Sequence, residues 1–145
     1  MSILLGVSNA QVLSRWQSLL SGQYALEHVA SVAELEKLIS TRSYDLIMLH
    51  RLLLDSGSLA ELRRLAPASR IFLLSDQPDH EEGFGFLKLG IVGYGNSYIS
   101  AERLAEAVHV ITSGGVWLGQ KVIQQLIQEA YKNSARDDAN IEATL

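Results

Sequence analysis

The chain contains no cysteine among its 145 residues. It can therefore form no disulfide bond, and it has no thiol for catalysis or metal binding. It also lacks any run of about 18 apolar residues, the length that a membrane-spanning helix requires. Residues 1–10 carry no basic segment and are too short for a signal peptide, so we expect the protein to reside in the cytoplasm.

An excess of positive charge is missing as well. The formal net charge is −4, which gives no basic footprint for direct binding to nucleic acid. The segment that follows the first apolar run, Gly-Val-Ser-Asn at 6–9, is not a glycine-rich phosphate loop. The sequence also shows no discernible pair of a nucleophile and a base. We expect neither enzymatic activity nor a cofactor.

What is present is a regular alternation of short apolar runs and helical patterns, with 48% of the residues hydrophobic. Such alternation predicts one domain built on a parallel sheet with helices on both faces. We expect a flavodoxin-like three-layer α/β sandwich whose five-stranded sheet has the order 2-1-3-4-5. The predicted strands are residues 3–7, 24–30, 46–49, 71–74 and 91–94, and the predicted helix caps include Asn9, Ser31, Asp79 and Ser100.

The C-terminal region divides into two segments. Residues 120–131 predict an extra sixth helix, whose apolar stripe must be buried either against its own domain or against a partner copy. We favour a contribution to a homodimer. Residues 133–145 are polar and have no such stripe, so we interpret them as a linker and assign residues 1–132 to the domain. The stripe consists of Val122, Ile123, Leu126 and Ile127.

The third predicted strand ends at His50, and the first runs into Ser8 and Asn9. Open parallel sheets place their sites in the crevice beyond the carboxyl ends of the strands. None of these three residues is an acid. We therefore expect a neutral pocket at this edge of the sheet, on a scaffold without a reaction of its own.

Three motifs carry a family resemblance: the lead into the third strand at 43–49, Gly-Ile-Val-Gly-Tyr at 90–94 and Gly-Gly-Val-Trp-Leu at 114–118. Together they resemble the receiver domains at the front of LuxR/NarL-type response regulators. The resemblance implies two-component signalling, with DNA bound only through a C-terminal output domain. In that family a Leu-Thr step opens the helix-turn-helix domain near the position of residues 141–145, so we expect the linker to lead to a DNA-binding domain outside this chain.

The resemblance also implies roles at the strand ends. It places the two metal-binding acids at Ser8 and Asn9, and the phosphate-accepting aspartate at His50. It places a retained hydroxyl at Ser75 and a lost lysine at Ser97. Because Mg²⁺ requires hard oxygen ligands and must neutralise an incoming phosphoryl group, these residues predict no metal site and no phosphorylation.

His50 leaves several interpretations open. It could fill the vacated pocket through hydrogen bonds, accept a phosphoryl group, ligate a metal or act as a pH switch. Asp55 and Asp76 are candidate substitute acceptors, or else ordinary solvated loop acids. Ser75 and Tyr94 resemble the switch pair of the family, with ordinary packing of a hydroxyl and a ring as the alternative.

The segment 117–120 is similar to another motif. Some receivers that lack the acidic pocket, found in biofilm regulators, bind cyclic di-GMP through Trp-apolar-Ser/Thr-Arg at the start of a sixth helix. Here Trp117 is present, but Gln120 replaces the arginine and Lys121 lies one position away. The bidentate fork for a phosphate is therefore missing, and we expect weak binding or none. The alternative role of Trp117 is to anchor the last helix.

Two functions follow from these observations. The first is a phosphorylation-independent regulatory receiver domain that dimerises and controls a transcriptional output domain. The second is a sensor domain for a nucleotide second messenger such as cyclic di-GMP, or for another small molecule.

Overall fold

The computed structural model describes the backbone of residues 1–144 and the side chains of residues 1–133. In this part of the chain a single sheet of six parallel strands has the order β2-β1-β3-β4-β5-β6. The predicted order 2-1-3-4-5 is therefore confirmed, and β6 adds one strand beyond β5. The strands are β1 Ser2–Gly6, β2 Ala25–Val29, β3 Leu46–His50, β4 Ile71–Ser75, β5 Gly93–Asn96 and β6 Trp117–Leu118.

The described helices connect these strands in chain order. Each of the four predicted caps accepts a backbone N–H at the start of its helix: Asn9, Ser31, Asp79 and Ser100. The helices are α1 Ala10–Leu20, α2 Val32–Thr41, α3 Ser58–Leu65, α4 His80–Lys88, α5 Ala101–Thr112 and α6 Gln120–Thr144, and a 3₁₀ turn, Arg51–Leu53, follows β3.

Helices cover both faces of the sheet, and neighbouring residues of a strand point to opposite faces. Side chains on both faces are therefore buried. Ile3 and Leu5 pack in the core cluster that includes residues of α1 and α5. Leu4 lies between them in sequence and packs in the second cluster, with residues of α2 and α3. The sheet is therefore a rigid layer that holds the loops at its carboxyl edge in place.

The sixth strand was not predicted, and the fifth lies two residues later than the predicted 91–94. β6 has only two residues, too few to show a periodicity, and β5 contains two glycines instead of an apolar run. Both glycines are needed for close packing. A Cβ on Gly93 would lie 2.6 Å from Cδ1 of Ile111, and one on Gly95 would lie 2.9 Å from Cζ3 of Trp117.

Helix α6 begins at the predicted residue but continues to Thr144 instead of ending near residue 131. The linker prediction for 133–145 stays a prediction, because the side chains after residue 133 and all of Leu145 lie outside the described residues. Among the described helices, none is both long and apolar enough to cross a membrane.

Candidate functional site

His50 lies at the carboxyl edge of the sheet, where β1, β3, β4 and β5 end. Its side chain is fully buried, and its Nε2 lies 2.8 Å from Oδ1 of Asp76, the residue after β4. The imidazole packs against the indole of Trp16 from α1, with centroids 6.1 Å apart and planes at 86°. The same indole donates a hydrogen bond to the carbonyl of Ser97, at 3.0 Å. The histidine therefore connects β3, α1 and the loop after β4.

The protonation of this pair follows from its partners. The hydrogen bond from His50 lowers the pKa of Asp76, while burial opposes this effect. The buried Ser97 hydroxyl contributes in the same direction, although it lies outside hydrogen-bond geometry. Because an ionised carboxylate only accepts, Nε2 of His50 carries the proton in this pair. Nδ1 is buried and has no hydrogen-bond partner.

The residues at the ends of β1 and β3 do not fit a Mg²⁺ ion. Ser8 and Asn9 are exposed and carry no charge. The side-chain oxygen of Asn9 accepts hydrogen bonds from the N–H groups of Gln11 and Val12, at 2.9 and 3.1 Å, and so serves as the cap of α1. Within the described residues, no three His, Cys, Asp or Glu side chains come together as a metal site.

The two candidate substitute acceptors already have partners. The backbone N–H of Asp55 donates to Oγ of Ser58 at 3.1 Å, and the Ser58 hydroxyl contacts the Asp55 carboxylate. Asp55 is thereby fixed at the entry to α3. The carboxylate of Asp76 accepts from His50, as described above.

The hydroxyls of Ser75 and Tyr94 make separate contacts. Oγ of Ser75 accepts a hydrogen bond from the N–H of Gln77, at 3.2 Å. The Tyr94 ring is fully buried; its hydroxyl accepts from the N–H of Asp79 at 2.9 Å and donates to the Glu82 carboxylate at 3.2 Å. Burial raises the pKa of Tyr94 to about 12, so the phenol remains protonated at neutral pH. The ring is held at the start of α4.

A second set of contacts joins the 3₁₀ turn to α4, and the sequence did not reveal it. Nε of Arg51 lies 3.1 Å from the Glu82 carboxylate, the same group that accepts from Tyr94. The Arg51 guanidinium also lies over the ring of Phe86, 5.4 Å from its centre. Because Arg51 and Glu82 are 31 residues apart in sequence, no local spacing could have indicated the pair.

The predicted ligand residues Trp117, Gln120 and Lys121 come together at a cleft of 570 Å³. This cleft lies between the loop after β4 and the starts of α5 and α6. Arg103 and Asp76 also line it. Cζ of Arg103 lies 5.0 Å from the centre of the Trp117 ring, and Trp117 is only 6% exposed. The sequence missed Arg103, since it belongs to a different helix from the motif at 117–120.

The predicted apolar stripe of α6 divides into two faces. Val122 is buried and Leu126 is partly buried against the second core cluster. Ile123 and Ile127 are 40% and 63% exposed, and Tyr131, one turn further, is 77% exposed. Half of the predicted stripe therefore packs against its own domain, and the half at Ile123 and Ile127 stays a predicted dimer contact.

No protein-family profile and no curated protein matches this sequence. Solved structures do match it. A LuxR-family two-component response regulator from Aurantimonas sp. SI85-9A1 superposes with a TM-score of 0.81 at 18% identity, covering 90% of this chain and 97% of that one. A LuxR-family DNA-binding response regulator from Silicibacter pomeroyi gives a TM-score of 0.71 at 22% identity, with coverages of 84% and 98%.

A third similar structure is the signal receiver domain of an HD domain-containing protein from Pseudomonas fluorescens Pf-5. Its TM-score is 0.69 at 26% identity, and the match covers 77% of this chain and 94% of that one. The structural neighbours are thus response-regulator receiver domains, and some belong to LuxR-family regulators. At these identities the comparison establishes the fold.

Proposed function

We propose that this chain is a receiver domain of a LuxR-type response regulator and that it regulates its output without accepting phosphate. The observation that carries the proposal is the hydrogen bond from the buried His50 to the partly exposed Asp76, at the strand ends where the resemblance places a phosphate-accepting aspartate. Cytoplasmic transcriptional control is the role that fits this fold and this pocket.

Phosphoryl transfer to an aspartate needs a free carboxylate and a cation to balance the incoming charge. Here His50 offers no reactive nitrogen, because Nε2 bonds Asp76 and Nδ1 is buried. Ser8 and Asn9 supply no charge for the cation. The geometry therefore supports a pocket whose central residue, His50, is buried and whose remaining side chains do not hold a cation.

The contacts around α4 support a surface held in one arrangement. Tyr94 is tied to Asp79 and Glu82, and Glu82 is tied to Arg51 on the turn after β3. These bonds join the β3 end, β5 and α4 with no phosphate involved. We propose that the domain presents this face to its output domain at all times.

The dimer of the proposal uses the outward face of α6, formed by Ile123, Ile127 and Tyr131. A helix end that carries exposed apolar side chains gains stability by burying them. With a net charge of −4, the chain itself is unsuited to DNA. We propose that DNA is contacted by a separate output domain; the similar regulator from Silicibacter pomeroyi is a DNA-binding one.

The proposal is tested by adding Mg²⁺ with acetyl phosphate or with beryllofluoride. For the natural sequence we expect no mass increase, no NMR shift at the strand ends and no rise in melting temperature. The triple variant Ser8→Asp, Asn9→Asp, His50→Asp is the matched control. Crowded carboxylates should lower its melting temperature, and Mg²⁺ should restore it by binding the folded form.

A stoichiometric phosphoryl adduct on the natural chain would overturn the proposal. If Asp55→Asn or Asp76→Asn abolished that adduct, the corresponding aspartate would be a substitute acceptor. A larger Mg²⁺ effect on the natural chain than on the triple variant would show that Ser8, Asn9 and His50 do not form a vacated acid pocket.

A second candidate function, that of a ligand-binding sensor, is favoured by one observation. The 570 Å³ cleft beside α5 and α6 is within the size range of small-molecule sites, about 300–1,000 Å³.

A further inference from the structure

We propose that the cleft between the loop after β4, α5 and α6 binds a phosphorylated small molecule of mononucleotide size, and that Arg103 contacts its phosphate. The site adjoins the His50 pocket through Asp76, but its donors belong to other residues. This proposal goes beyond the proposed function of a phosphorylation-independent receiver. The ligand site and that function are independent of each other.

The cleft is rich in hydrogen-bond donors and positive charge. Arg103 and Lys121 line it and supply two cations. Asn96 also lines it; its side-chain oxygen accepts from the N–H of Tyr98 at 2.8 Å, which leaves its amide N–H groups available as donors. The lining also holds one carboxylate, that of Asp76, which accepts from His50, so the two cations face a single negative charge. Such a set of groups favours an anionic ligand that accepts hydrogen bonds.

Arg103 is held in place without being neutralised. Its guanidinium lies 5.0 Å from the centre of the Trp117 ring, a distance at which a cation and an aromatic face attract each other. Its carboxylate neighbour Glu106 is 3.9 Å away, and both side chains are at least 40% exposed, so solvent weakens the pair. The guanidinium therefore retains donors for a phosphate while it stays beside the Trp117 ring.

The starts of two helices reinforce this charge. Helices α5 and α6 both begin at the cleft, and helix N-termini attract anions. The residue before α6 is Gly119, which has no side chain to cap the first N–H groups. This field adds to the side chains of Arg103 and Lys121, which carry the proposal.

Part of the cleft is apolar, which indicates an organic group attached to the phosphate. Ile99, Trp117 and Val122 form this wall. All three are at least 93% buried and therefore well fixed. A site that combines a rigid apolar wall with a few polar groups is typical of small-molecule binding. Inorganic phosphate alone would leave this wall without a contact.

The test uses ¹⁵N-labelled protein and four probes: adenosine monophosphate, adenosine, inorganic phosphate and cyclic di-GMP. We expect adenosine monophosphate to shift the amides of Gly95 and Gly119 and the indole signal of Trp117. Adenosine and inorganic phosphate should bind at least tenfold more weakly, because each lacks half of the contacts. Cyclic di-GMP should also bind more weakly, since Gln120 stands in place of the arginine of that motif.

Two arginine variants decide whether Arg103 acts as proposed. Arg103→Gln should weaken adenosine monophosphate binding at least tenfold. Arg42→Gln is the matched control, because Arg42 is an exposed arginine paired with Glu27 on the β2 side of the sheet, and it should leave binding unchanged. The amide spectra of the free variants show that both are folded.

The proposal is overturned if none of the four probes binds at millimolar concentration, or if Arg103→Gln binds as tightly as the natural chain. It is also overturned if the shifts cluster away from the cleft. Tighter binding of cyclic di-GMP would assign the cleft to a dinucleotide instead. None of these results bears on the acetyl phosphate test, so failure of the ligand site and failure of the proposed function are distinguishable.

Discussion

At the scale of single residues, His50 shows what a fully buried polar side chain at a strand end requires. A carboxylate in this place would carry a charge that needs a cation to balance it, because burial of an unpaired charge is costly. A neutral imidazole needs only hydrogen-bond partners. Asp76 supplies one from the next strand, at 2.8 Å. His50 is thus joined to the residue after β4 by a hydrogen bond, and its side chain brings no negative charge to the strand ends.

The lowered pKa of Asp76 makes this pair sensitive to acid. Because its folded pKa lies below the ordinary value, the pair's contribution to the free energy of unfolding is complete above that ordinary value and is lost as the pH falls through the folded pKa. We expect His50→Gln and Asp76→Asn each to lower stability at neutral pH by about 1 kcal/mol, since Asp76 is partly exposed. Both should flatten the acid limb of the melting curve.

Calorimetry across a series of acidic buffers measures this effect. The double variant should lose no more stability than either single variant, because both changes remove the same bond. Additive losses would contradict the pairing of His50 with Asp76.

At the scale of elements, α6 has two adjacent faces that differ in burial. The inward face, with Val122, joins the core beside α4. The outward face, with Ile123 and Ile127, remains exposed. The sequence indicated an apolar helix but could not assign its positions to faces, since that assignment depends on where β6 and α4 place the helix.

Variants on the two faces of α6 separate folding from dimerisation. Ile123→Ser with Ile127→Ser should lower the dimer fraction and leave the melting temperature nearly unchanged, because both side chains are exposed. Val122→Ala is the control on the inward face, and it should lower stability by about 1–2 kcal/mol without changing the dimer fraction at equal concentration of folded protein. Light scattering after size exclusion, with calorimetry, measures both. A dimer that persists in the double variant places the interface elsewhere.

At the scale of the whole molecule, the layers of the fold could be predicted from the sequence more completely than the residues of the site. Apolar runs such as residues 46–49 and capping residues such as Ser31 act locally, so the order of elements and the helix starts could be predicted. β6 could not, because Trp117–Leu118 becomes a strand only through its bonds to β5. Arg103 escaped prediction for a related reason: α5 and the motif at 117–120 meet only in the folded chain.

The local stability of the backbone should differ between the centre of the sheet and the exposed end of α6. Amide hydrogens of β1, β3 and β4 lie in the doubly covered centre of the sheet and should exchange with solvent last. Residues 128–133 of α6 are exposed at every position and should exchange much earlier, unless dimerisation protects them. Hydrogen–deuterium exchange at two protein concentrations measures this. Protection of 128–133 that is strong and independent of concentration would contradict an uncovered helix end.

The placement of the two tryptophans gives the molecule its own optical probes. Trp16 packs against His50, and Trp117 lies beneath Arg103 at the cleft. Trp16 emission therefore reports changes in the contact between its indole and the His50 ring. Trp117 emission reports whatever displaces or covers Arg103. With Trp16→Phe and Trp117→Phe as single-probe variants, the Trp117 contact with Arg103 and the Trp16 contact with His50 can each be followed without any label.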